Sequence, residues 1–450
     1  MRAAHRSNPR RIPVPKRVFI KTWGCQMNEH DAERMAGLVA PLGYVLTSTQ
    51  DDADLILLNT CSIRDKAEQK VYSDLGRLNA LKAARPEVMI GVAGCVAQQE
   101  GAAILDRSPA VDLVFGSKGI ERLPALLVEA LTTKRKIVYT DDPIGIAPTL
   151  PADRRDPVRA WVSIMEGCEN ACSFCVVPAT RGRERSRLSG EIRDEVVALC
   201  AGGCREVTLL GQNVNSYGRT SPEGVDFADL LDLLHPIEGL ARIRYTTSHP
   251  NAVTPKLIDT LARLPNVCRH LHLPLQSGSD RTLTRMQREY TLNGYLDLVA
   301  ALRRAMPDLA LTTDLIVGFP GETEADFRET VAALDAVGFD NIYAFKYSRR
   351  PRTAALALDD QVPEPEKDRR LQELLAAQRV ITRLKHAAFE GRAVEVLVEG
   401  PSKTDRTRLM GRTSCNRVVN FDGPPSLIGR LTSLKVLAVK ANSLEGVQPS

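Results

Sequence analysis

Three cysteines, Cys168, Cys172 and Cys175, lie close together in the stretch EGCENACSFCVVP, with the spacing C-x3-C-x2-C. Spacing this tight, on a loop that also contains Gly, Asn and Ser, is typical of metal ligands rather than of unrelated buried cysteines. No histidine lies between residues 31 and 234, so the loop lacks the nearby fourth ligand of a structural zinc site. A four-iron cluster held here would keep one iron open to an exchangeable molecule. The loop therefore predicts iron–sulfur chemistry rather than simple electron transfer.

A second set of cysteines, Cys25, Cys61 and Cys95, is spread over the first hundred residues. Each comes just after a short apolar, β-branched run, and the pattern predicts strands over 17–22, 54–58 and 87–93 and helices over 28–40, 63–84 and 96–106. This alternation predicts a parallel sheet. Because the carboxyl ends of parallel strands meet at one edge, the three thiols predict a second metal site, again one ligand short.

The other four cysteines are Cys200, Cys204, Cys268 and Cys415. Cys200 and Cys204 also have the spacing C-x3-C, but they lie at the end of an amphipathic helix, where packing explains them. Ten cysteines without a secretory signal predict a reducing, cytoplasmic location with metal sites rather than disulfides. No apolar run reaches the length of a membrane span, so no membrane association is expected.

The rest of the chain predicts a mainly α/β protein with several domains. Residues 1–16 are basic without an acidic residue, which predicts a disordered tail that contacts nucleic acid. An α/β cluster domain is predicted over 17–133, and a Pro- and Asp-containing linker over 134–157. Over 158–387, six alternations of strand and helix predict a partial, open barrel with the three-cysteine loop at its carboxyl face.

Residues 388–446 change to short strands separated by turns, which predicts a small all-β barrel. Its stretch 391–440 holds nine Lys/Arg against four Asp/Glu, an excess equal to the net charge of +5 of the whole chain. A second basic run, TRGRERSR at 180–187, follows the cysteine loop directly. Concentrated positive charge predicts contacts to the phosphates of a nucleic acid. The candidate residues are Arg181, Arg183, Arg185, Arg187, Lys403, Arg406, Arg408, Arg412 and Arg417.

Phe174 completes a C-x3-C-x-aromatic-C motif that resembles that of radical S-adenosylmethionine (SAM) enzymes. Nearly the full length resembles the tRNA methylthiotransferases, which have a cluster domain, a radical SAM domain and a C-terminal TRAM RNA-binding domain in this order. The stretches TWGCQMNEHD, NTCSIRDKAE, GCVAQQEG, LLGQNVNSYG, TTSHP and LPLQSGS resemble the branch that modifies isopentenyladenosine. The resemblance implies two [4Fe-4S] clusters with three cysteine ligands each. It also implies a SAM pocket that includes Phe174, Ser248, Gln276, Asp314 and Gly318.

The activity that the resemblance implies is methylthiolation of carbon 2 of isopentenyladenosine next to the anticodon. One SAM would be the methyl donor and another the source of the 5′-deoxyadenosyl radical. The implied partners are the tRNA anticodon stem-loop and a low-potential donor such as flavodoxin or ferredoxin, with the enzyme as a monomer. Two alternatives stay open: the same chemistry on threonylcarbamoyl-adenosine or a ribosomal protein, and a non-catalytic iron–sulfur RNA-binding protein.

One stretch departs from the family pattern. The family usually ends its barrel with Tyr-Ser-Pro-Arg-Pro-Gly-Thr, whereas this chain has YSRRPRT at 347–353. Arg349 and Arg352 therefore stand where a proline and a glycine are expected. The resemblance therefore does not establish the geometry of this turn, whereas the cysteines are unaffected by the departure.

Overall fold

In a computed structural model, the described residues are 15–61, 65–141, 152–154 and 156–449, without the side chains of 65–69. The predicted N-terminal tail lies outside the described residues up to residue 14, and Lys16 already begins a strand. The chain divides into two compact units, one before about residue 143 and one from Arg154 onward. No helix in the described ranges combines the length and the apolar character that a membrane span requires.

The first unit is a parallel sheet covered by helices on both faces. The strand order is β2-β1-β3-β4-β5-β6. Its strands are β1 (Lys16–Thr22), β2 (Tyr44–Leu46), β3 (Leu55–Thr60), β4 (Met89–Gly94), β5 (Leu113–Gly116) and β6 (Ile137–Tyr139). Its helices are α1 (Gln26–Val39), α2 (Asp65–Ala84), α3 (Cys95–Glu100), α4 (Ala103–Arg107) and α5 (Leu123–Thr133). Every residue of β3 and β4 is buried, as expected for central strands with an apolar layer on each face.

The predicted sheet is confirmed, with two differences. The helix predicted over 96–106 is two helices, α3 and α4, because Gly101 has a positive φ of 54° between them. Residues of β6, which fall inside the stretch predicted as a linker, pair in parallel with β5 at the edge of the sheet. An edge strand of three residues is too short for its alternation to stand out in the sequence.

The second unit begins with an open barrel of parallel strands. Its strands are β7 (Arg159–Ser163), β10 (Glu206–Leu210), β11 (Arg242–Tyr245), β12 (His270–His272), β13 (Ala310–Val317) and β14 (Asn341–Lys346). Two further short strands, β8 (Met165–Glu166) and β9 (Arg185–Ser186), pair antiparallel at the two ends of the cysteine loop. The strands pair as β7-β10-β11 and β12-β13-β14, and a parallel bridge between Ile243 and Val267 connects the two sets. The partial barrel of six strands that the sequence predicts is therefore confirmed.

Helices cover the outside of this barrel. They are α6 (Val177–Arg181), α7 (Ser189–Ala201), α8 (Phe227–Leu234), α9 (Pro255–Arg263), α10 (Asp280–Arg285), α11 (Leu292–Ala305), α12 (Glu324–Val337) and α13 (Glu364–Ala387). Four of them, α8, α9, α11 and α12, begin with a capping side chain: for α12, Thr323 and Asp326 each accept a hydrogen bond from the other's backbone N–H. One continuous apolar core between strands and helices fixes the barrel and so the position of its carboxyl edge.

The C-terminal part is a closed five-stranded barrel with the order β15-β16-β17-β19-β18. Its strands are β15 (Ala393–Pro401), β16 (Leu409–Thr413), β17 (Val418–Phe421), β18 (Leu431–Val439) and β19 (Leu444–Val447). The first four match the predicted strands. The sequence analysis missed β19, whose four residues include a glycine and carry a weak strand signal on their own.

The tip of the β16–β17 hairpin contacts the amino edge of the open barrel. Arg242, the first residue of β11, donates a hydrogen bond to the carbonyl oxygen of Arg412. Arg244, in the same strand, is buried and donates to the carbonyl oxygens of Thr413 (2.8 Å) and Ser414 (3.2 Å). The backbone N–H of Arg269, just before β12, donates to the hydroxyl of Ser414 at 2.8 Å. Arg417 pairs with Asp340, just before β14, at 2.6 Å. The small barrel therefore docks on the face opposite to the three-cysteine loop.

Candidate active site

The three-cysteine loop begins directly after β8, where glycine is required. Gly167 has a φ of 80°, and a Cβ there would lie 1.9 Å from the carbonyl oxygen of Arg183. The backbone N–H of Gly167 donates to Gln212 Oε1 at 2.5 Å, and that of Cys168 donates to the carbonyl of Gly182 at 3.1 Å. Sheet and side-chain contacts thus pin the first cysteine at the carboxyl edge of the barrel.

The middle of the loop is anchored at Ser173, between the second and third cysteines. Its N–H donates to the carbonyl oxygen of Met286 at 3.0 Å, and its hydroxyl donates to that of Arg285 at 2.9 Å. Phe174 packs edge-on against Phe319, with the ring centroids 6.4 Å apart. The aromatic residue of the motif therefore braces the loop against an apolar cluster rather than facing solvent.

Burial and the neighbouring thiols raise the pKa of two of the three cysteines on the loop. Burial, together with the nearby Cys172 and Cys168, raises the pKa of the Cys175 thiol to about 12. Burial also raises the pKa of Cys168, and Cys172 adds to the effect. Thiols that disfavour ionisation together need a cation or a metal beside them to become thiolates.

Arg288, which the sequence analysis missed, supplies that positive charge. Its guanidinium donates to Cys172 Sγ at 3.0 Å and to the hydroxyl of Tyr290 at 2.9 Å. The side chain is buried, and among the described residues no carboxylate lies within ion-pair distance of it. A buried cation requires a counter-charge, and the sulfur ligands are its nearest candidates. Nothing in the sequence separates Arg288 from Arg285, three residues earlier, whose side chain instead pairs with Asp360.

The predicted SAM-pocket residues follow neighbouring strands at the same edge. Ser248 follows β11, Gln276 follows β12, Asp314 lies in β13, and Gly318 comes directly after β13. The N–H of Gln276 donates to the carbonyl oxygen of Asp314 at 2.9 Å, and Gln276 has a positive φ of 69°. The structure thus brings the four residues to one rim of the barrel, next to the loop that carries the cysteines.

Several polar atoms on this rim lack a partner. Ser248 Oγ, Gln276 Oε1 and Asn213 Oδ1 are buried without a hydrogen-bond partner in the part of the chain that the structure describes. Buried polar groups are normally paired, so orphaned ones indicate a missing ligand. An amino acid derivative with an ammonium group and hydroxyl groups, as in SAM, has the donors that these atoms require. The residues present therefore fit the group that the motif implies.

Gly318 is held in place differently from the other rim residues. It has a φ of 68°, and its N–H donates to Glu322 Oε1 at 2.9 Å. A Cβ on Gly318 would lie 2.3 Å from Lys367 Cγ, so a side chain has no room. Glu322 in turn pairs with Arg370 at 2.7 Å, which fixes the turn after β13.

In the first unit, the other three cysteines also meet at one sheet edge. Cys25 follows β1, Cys61 follows β3 and Cys95 follows β4, and these strands are neighbours. A Cβ on Gly24 would lie 3.0 Å from Cys61 Sγ, which shows how closely the two cysteine loops approach. Within the described ranges, no three Cys, His, Asp or Glu side chains are close enough to hold a single metal ion. Thiolates of a cubane bind different irons and therefore stand farther apart than ligands of one ion.

Two buried asparagines connect these loops, and the sequence analysis missed both. The Asn28 amide donates to Asn59 Oδ1 at 3.3 Å and to the carbonyl oxygen of Thr60 at 3.1 Å. In return, Asn59 Nδ2 donates to the carbonyl oxygen of Asn28 at 2.7 Å, and the Cys25 thiol donates to Asn28 Oδ1 at 3.4 Å. Their positions beside Cys25 and Cys61 in the motifs CQMN and NTC were the available signal.

The predicted RNA contacts divide into exposed and buried arginines. Lys403, Arg406 and Arg183 are exposed, and Arg185 is half-buried. Arg408 pairs with Glu445 at 2.5 Å, and Arg412 pairs with Glu399 at 3.0 Å.

Three of the predicted contacts are buried in the structure. Arg187 is buried and pairs with Glu195 at 2.8 Å, and Arg417 is buried against Asp340 and the ring of Phe389. Arg181 is buried as well. A run of charges in a sequence does not reveal which arginines form ion pairs with acidic residues inside the folded protein.

The comparisons with known proteins agree with this architecture. Three family models match successive parts of the chain: "Uncharacterized protein family UPF0004" over residues 17–116, the radical SAM superfamily over 162–334 and the TRAM domain over 387–447. Among solved structures, a radical S-adenosylmethionine methyltransferase from Kitasatospora setae has a similar fold. Its TM-score is 0.55 at 16% identity, over 76% of this chain and 75% of that one. Fold and cysteine loop together define a radical SAM enzyme, a class whose members use an iron–sulfur cluster and SAM.

Curated relatives show which family of radical SAM enzymes the chain resembles. A protein from Clostridium novyi is 46% identical over 96% of each chain, and one from Leptothrix cholodnii is 49% identical over 96% of this chain and 93% of its own. One from Bordetella pertussis is 49% identical over 95% of this chain and 97% of its own. Each is named tRNA-2-methylthio-N(6)-dimethylallyladenosine synthase. The chain belongs to this family of tRNA methylthiotransferases.

Proposed function

We propose that the protein methylthiolates carbon 2 of N(6)-dimethylallyladenosine (isopentenyladenosine) next to the anticodon of tRNA. The observation that carries the proposal is the near-full-length identity of 46–49% to synthases of this name, which extends over both cysteine sites. The adenine C2–H bond is too inert for an ordinary side-chain base. Accordingly, the rim of the barrel offers cysteines and binding groups rather than a catalytic triad.

The two sets of cysteines would hold two clusters with different roles in the reaction. Cys168, Cys172 and Cys175 would hold one [4Fe-4S] cluster, and Cys25, Cys61 and Cys95 would hold the other, each with one open iron. When bound, the first cluster and SAM supply an organic radical that can take a hydrogen atom from carbon 2, and the second cluster with another SAM supplies the methylated sulfur. The positions of the three thiols of each set at one sheet edge support this assignment.

The side chains around the three-cysteine loop would bind and shield the cofactor. Ser248 Oγ and Gln276 Oε1 would accept hydrogen bonds from SAM, since both are buried acceptors without a partner among the described residues. Asp314 lies beside them and contacts His272 Nε2 at 3.4 Å. Phe319 and Tyr347 are buried with Phe174 in an apolar cluster behind the loop, which would exclude water from that side.

The tRNA would contact exposed basic residues of both parts of the second unit. Lys403 and Arg406 are exposed on the turn between β15 and β16, and Arg183 is exposed beside the three-cysteine loop. These side chains could approach phosphates without breaking an internal ion pair. A low-potential flavodoxin or ferredoxin would provide electrons, and the protein would act as a cytoplasmic monomer.

Nucleoside analysis of cells tests the proposal. In cells that lack the protein, tRNA should contain dimethylallyladenosine in place of its 2-methylthio form. Expression of the wild type should restore the methylthio group, and Cys172→Ala should not. Cys200→Ala is the matched control and should restore it, because Cys200 packs against the barrel core rather than in a cysteine site.

The alternatives give different results in the same experiment. Unchanged dimethylallyladenosine, with a change in threonylcarbamoyl-adenosine or in a ribosomal protein, would assign the chemistry to another substrate. Full restoration by Cys172→Ala would favour a non-catalytic RNA-binding role.

A further inference from the structure

The segment that departs from the family pattern, 347–353, lies beside the three-cysteine loop. It follows β14 at the carboxyl edge of the barrel. Two residues later, the backbone N–H of Ala355 donates to the carbonyl oxygen of Ser173 at 2.7 Å, and Ser173 lies between the second and third cysteines. Tyr347 and Ala355 are buried in the same apolar cluster that Phe174 packs against. The segment is therefore anchored at both ends next to the loop.

The anchored segment presents arginines to solvent. Arg349 and Arg352 are exposed, and neither makes an ion pair with a described residue. Arg349 donates only to the carbonyl oxygen of Leu356 at 3.2 Å, a neutral acceptor that leaves its charge uncompensated. The stretch 347–358 contains no acidic residue. The next acidic residues downstream are Asp359 and Asp360, and Asp360 is already paired with Arg285 at 2.6 Å.

Arg352 occupies an unfavourable backbone conformation. Its φ is 61°, in the left-handed region that glycine adopts without cost and arginine does not. The hydroxyl of Thr353 donates to the carbonyl oxygen of Arg350 at 2.8 Å and helps to hold the turn. A charged, exposed residue at a position suited to glycine contributes nothing to the turn itself. Strain of this kind is typical of sites with a binding role.

We propose that Arg349 and Arg352 form a phosphate-binding rim that holds the RNA backbone beside the three-cysteine loop. The inference rests on the proposed function and extends it to a contact that the relatives' names and the matched family models do not describe. Guanidinium groups suit phosphate oxygens because they donate two parallel hydrogen bonds. Arg183, exposed near Cys168, lies at the other end of the same loop, whose Cys168 N–H contacts Gly182. Phosphates on both sides of a target nucleotide would thus be held around the loop.

Salt-dependent binding of a dimethylallyladenosine-containing tRNA to the full-length protein tests the proposal. The variants are Arg349→Gln, Arg352→Gly and the two combined. Each lost phosphate contact should weaken binding and reduce the slope of log K against log salt by about 0.7, the value for single-stranded RNA-like contacts. Arg352→Lys should keep most of the slope, since it keeps the charge. Arg352→Gly should fold normally, because glycine suits the φ of 61°.

Arg304→Gln is the matched control. Arg304 is exposed in the last turn of α11, which runs toward the amino edge of the barrel, so the same loss of charge there should leave the slope unchanged. Wild-type slopes in Arg349→Gln and Arg352→Gly would overturn the inference while leaving the proposed function in place. Equal losses in Arg304→Gln would also overturn it, because the effect would then be one of net charge. Failure of the wild type to bind this tRNA would overturn both.

Discussion

At the scale of single residues, the contacts around the cysteines matter more than the cysteines alone. The tight spacing of Cys168, Cys172 and Cys175 predicts them as metal ligands from the sequence alone, because ligands on one loop need no tertiary information. Arg288 and Asn59 could not be identified in this way. Each reaches its cysteine neighbourhood only through folding, across 116 residues from Arg288 to Cys172 and across 31 residues from Asn59 to Asn28.

Arg288 should tune the reduction potential of the cluster next to it. Replacing it with Gln removes a positive charge and a hydrogen bond to Cys172 Sγ, so addition of an electron becomes harder. A charged hydrogen bond worth about 1.5–3 kcal/mol corresponds to a shift of roughly 60–130 mV toward negative potential for one electron. Potentiometric titration followed by electron paramagnetic resonance of the reconstituted protein measures this shift.

Arg288→Lys provides the comparison for that experiment. It keeps the charge but loses the fixed fork of donors, so a smaller shift is expected. Unchanged potentials in both variants would show that the guanidinium does not act on the cluster.

At the scale of secondary-structure elements, periodicity and turn residues predicted most helices and strands. Regions with clear patterns, such as β1, α1 and α2, match within a few residues. The short edge strand β6 and the last strand β19 were missed, since three or four residues carry little periodic signal. Pairing with neighbours, which no local pattern contains, decides whether such segments become strands.

Asp326 at the start of α12 should make stability depend on pH. Burial alone raises its pKa, but hydrogen bonds from Arg281, Ser279 and Thr323 outweigh burial and hold the pKa well below its usual range. A carboxylate with a depressed folded-state pKa stabilises the protein above its unfolded pKa, about 4, and loses that contribution as pH falls. Asp326→Asn should therefore cost about 1–3 kcal/mol at pH 7.

Denaturant unfolding at pH 7 and near pH 3 measures this effect. The difference between wild type and Asp326→Asn should shrink at the lower pH, because near pH 3 this carboxyl takes up a proton in the unfolded wild type while it stays ionised in the folded protein. A difference that stays constant over this range would show that the carboxylate charge is not what stabilises the start of α12.

At the scale of the whole second unit, the small β-barrel is docked rather than tethered. Composition predicted a basic barrel, but it did not predict that Arg417 is buried in the interface with the open barrel. The partners of such arginines come from distant elements, as with Asp340 before β14. The sequence therefore predicted the order and class of the domains, while the docking surface required the folded chain.

Arg244→Met should loosen this docking. Arg244 is buried, pairs with Glu206 at 2.9 Å and donates to two carbonyl oxygens of the hairpin tip. Its removal leaves Glu206 buried without its partner, which typically costs about 3–5 kcal/mol. Hydrogen exchange of 411–417 should accelerate, and thermal unfolding should shift to lower temperature.

The double variant Arg244→Met, Glu206→Leu separates charge burial from docking. It should recover much of the thermal stability, because no unpaired buried charge is left, yet keep fast exchange at the hairpin tip. Slow exchange in both variants would show that these hydrogen bonds do not hold the small barrel in place.

The central claim is that the two cysteine sites divide radical formation from sulfur transfer on one tRNA nucleotide. The most direct test is an anaerobic assay of the reconstituted protein with SAM, dithionite and dimethylallyladenosine-containing tRNA, followed by mass spectrometry of the digested nucleosides. Wild type should form 5′-deoxyadenosine and 2-methylthio-dimethylallyladenosine, Cys172→Ala neither, and Cys61→Ala only 5′-deoxyadenosine. Methylthiolated product from Cys61→Ala would contradict the account.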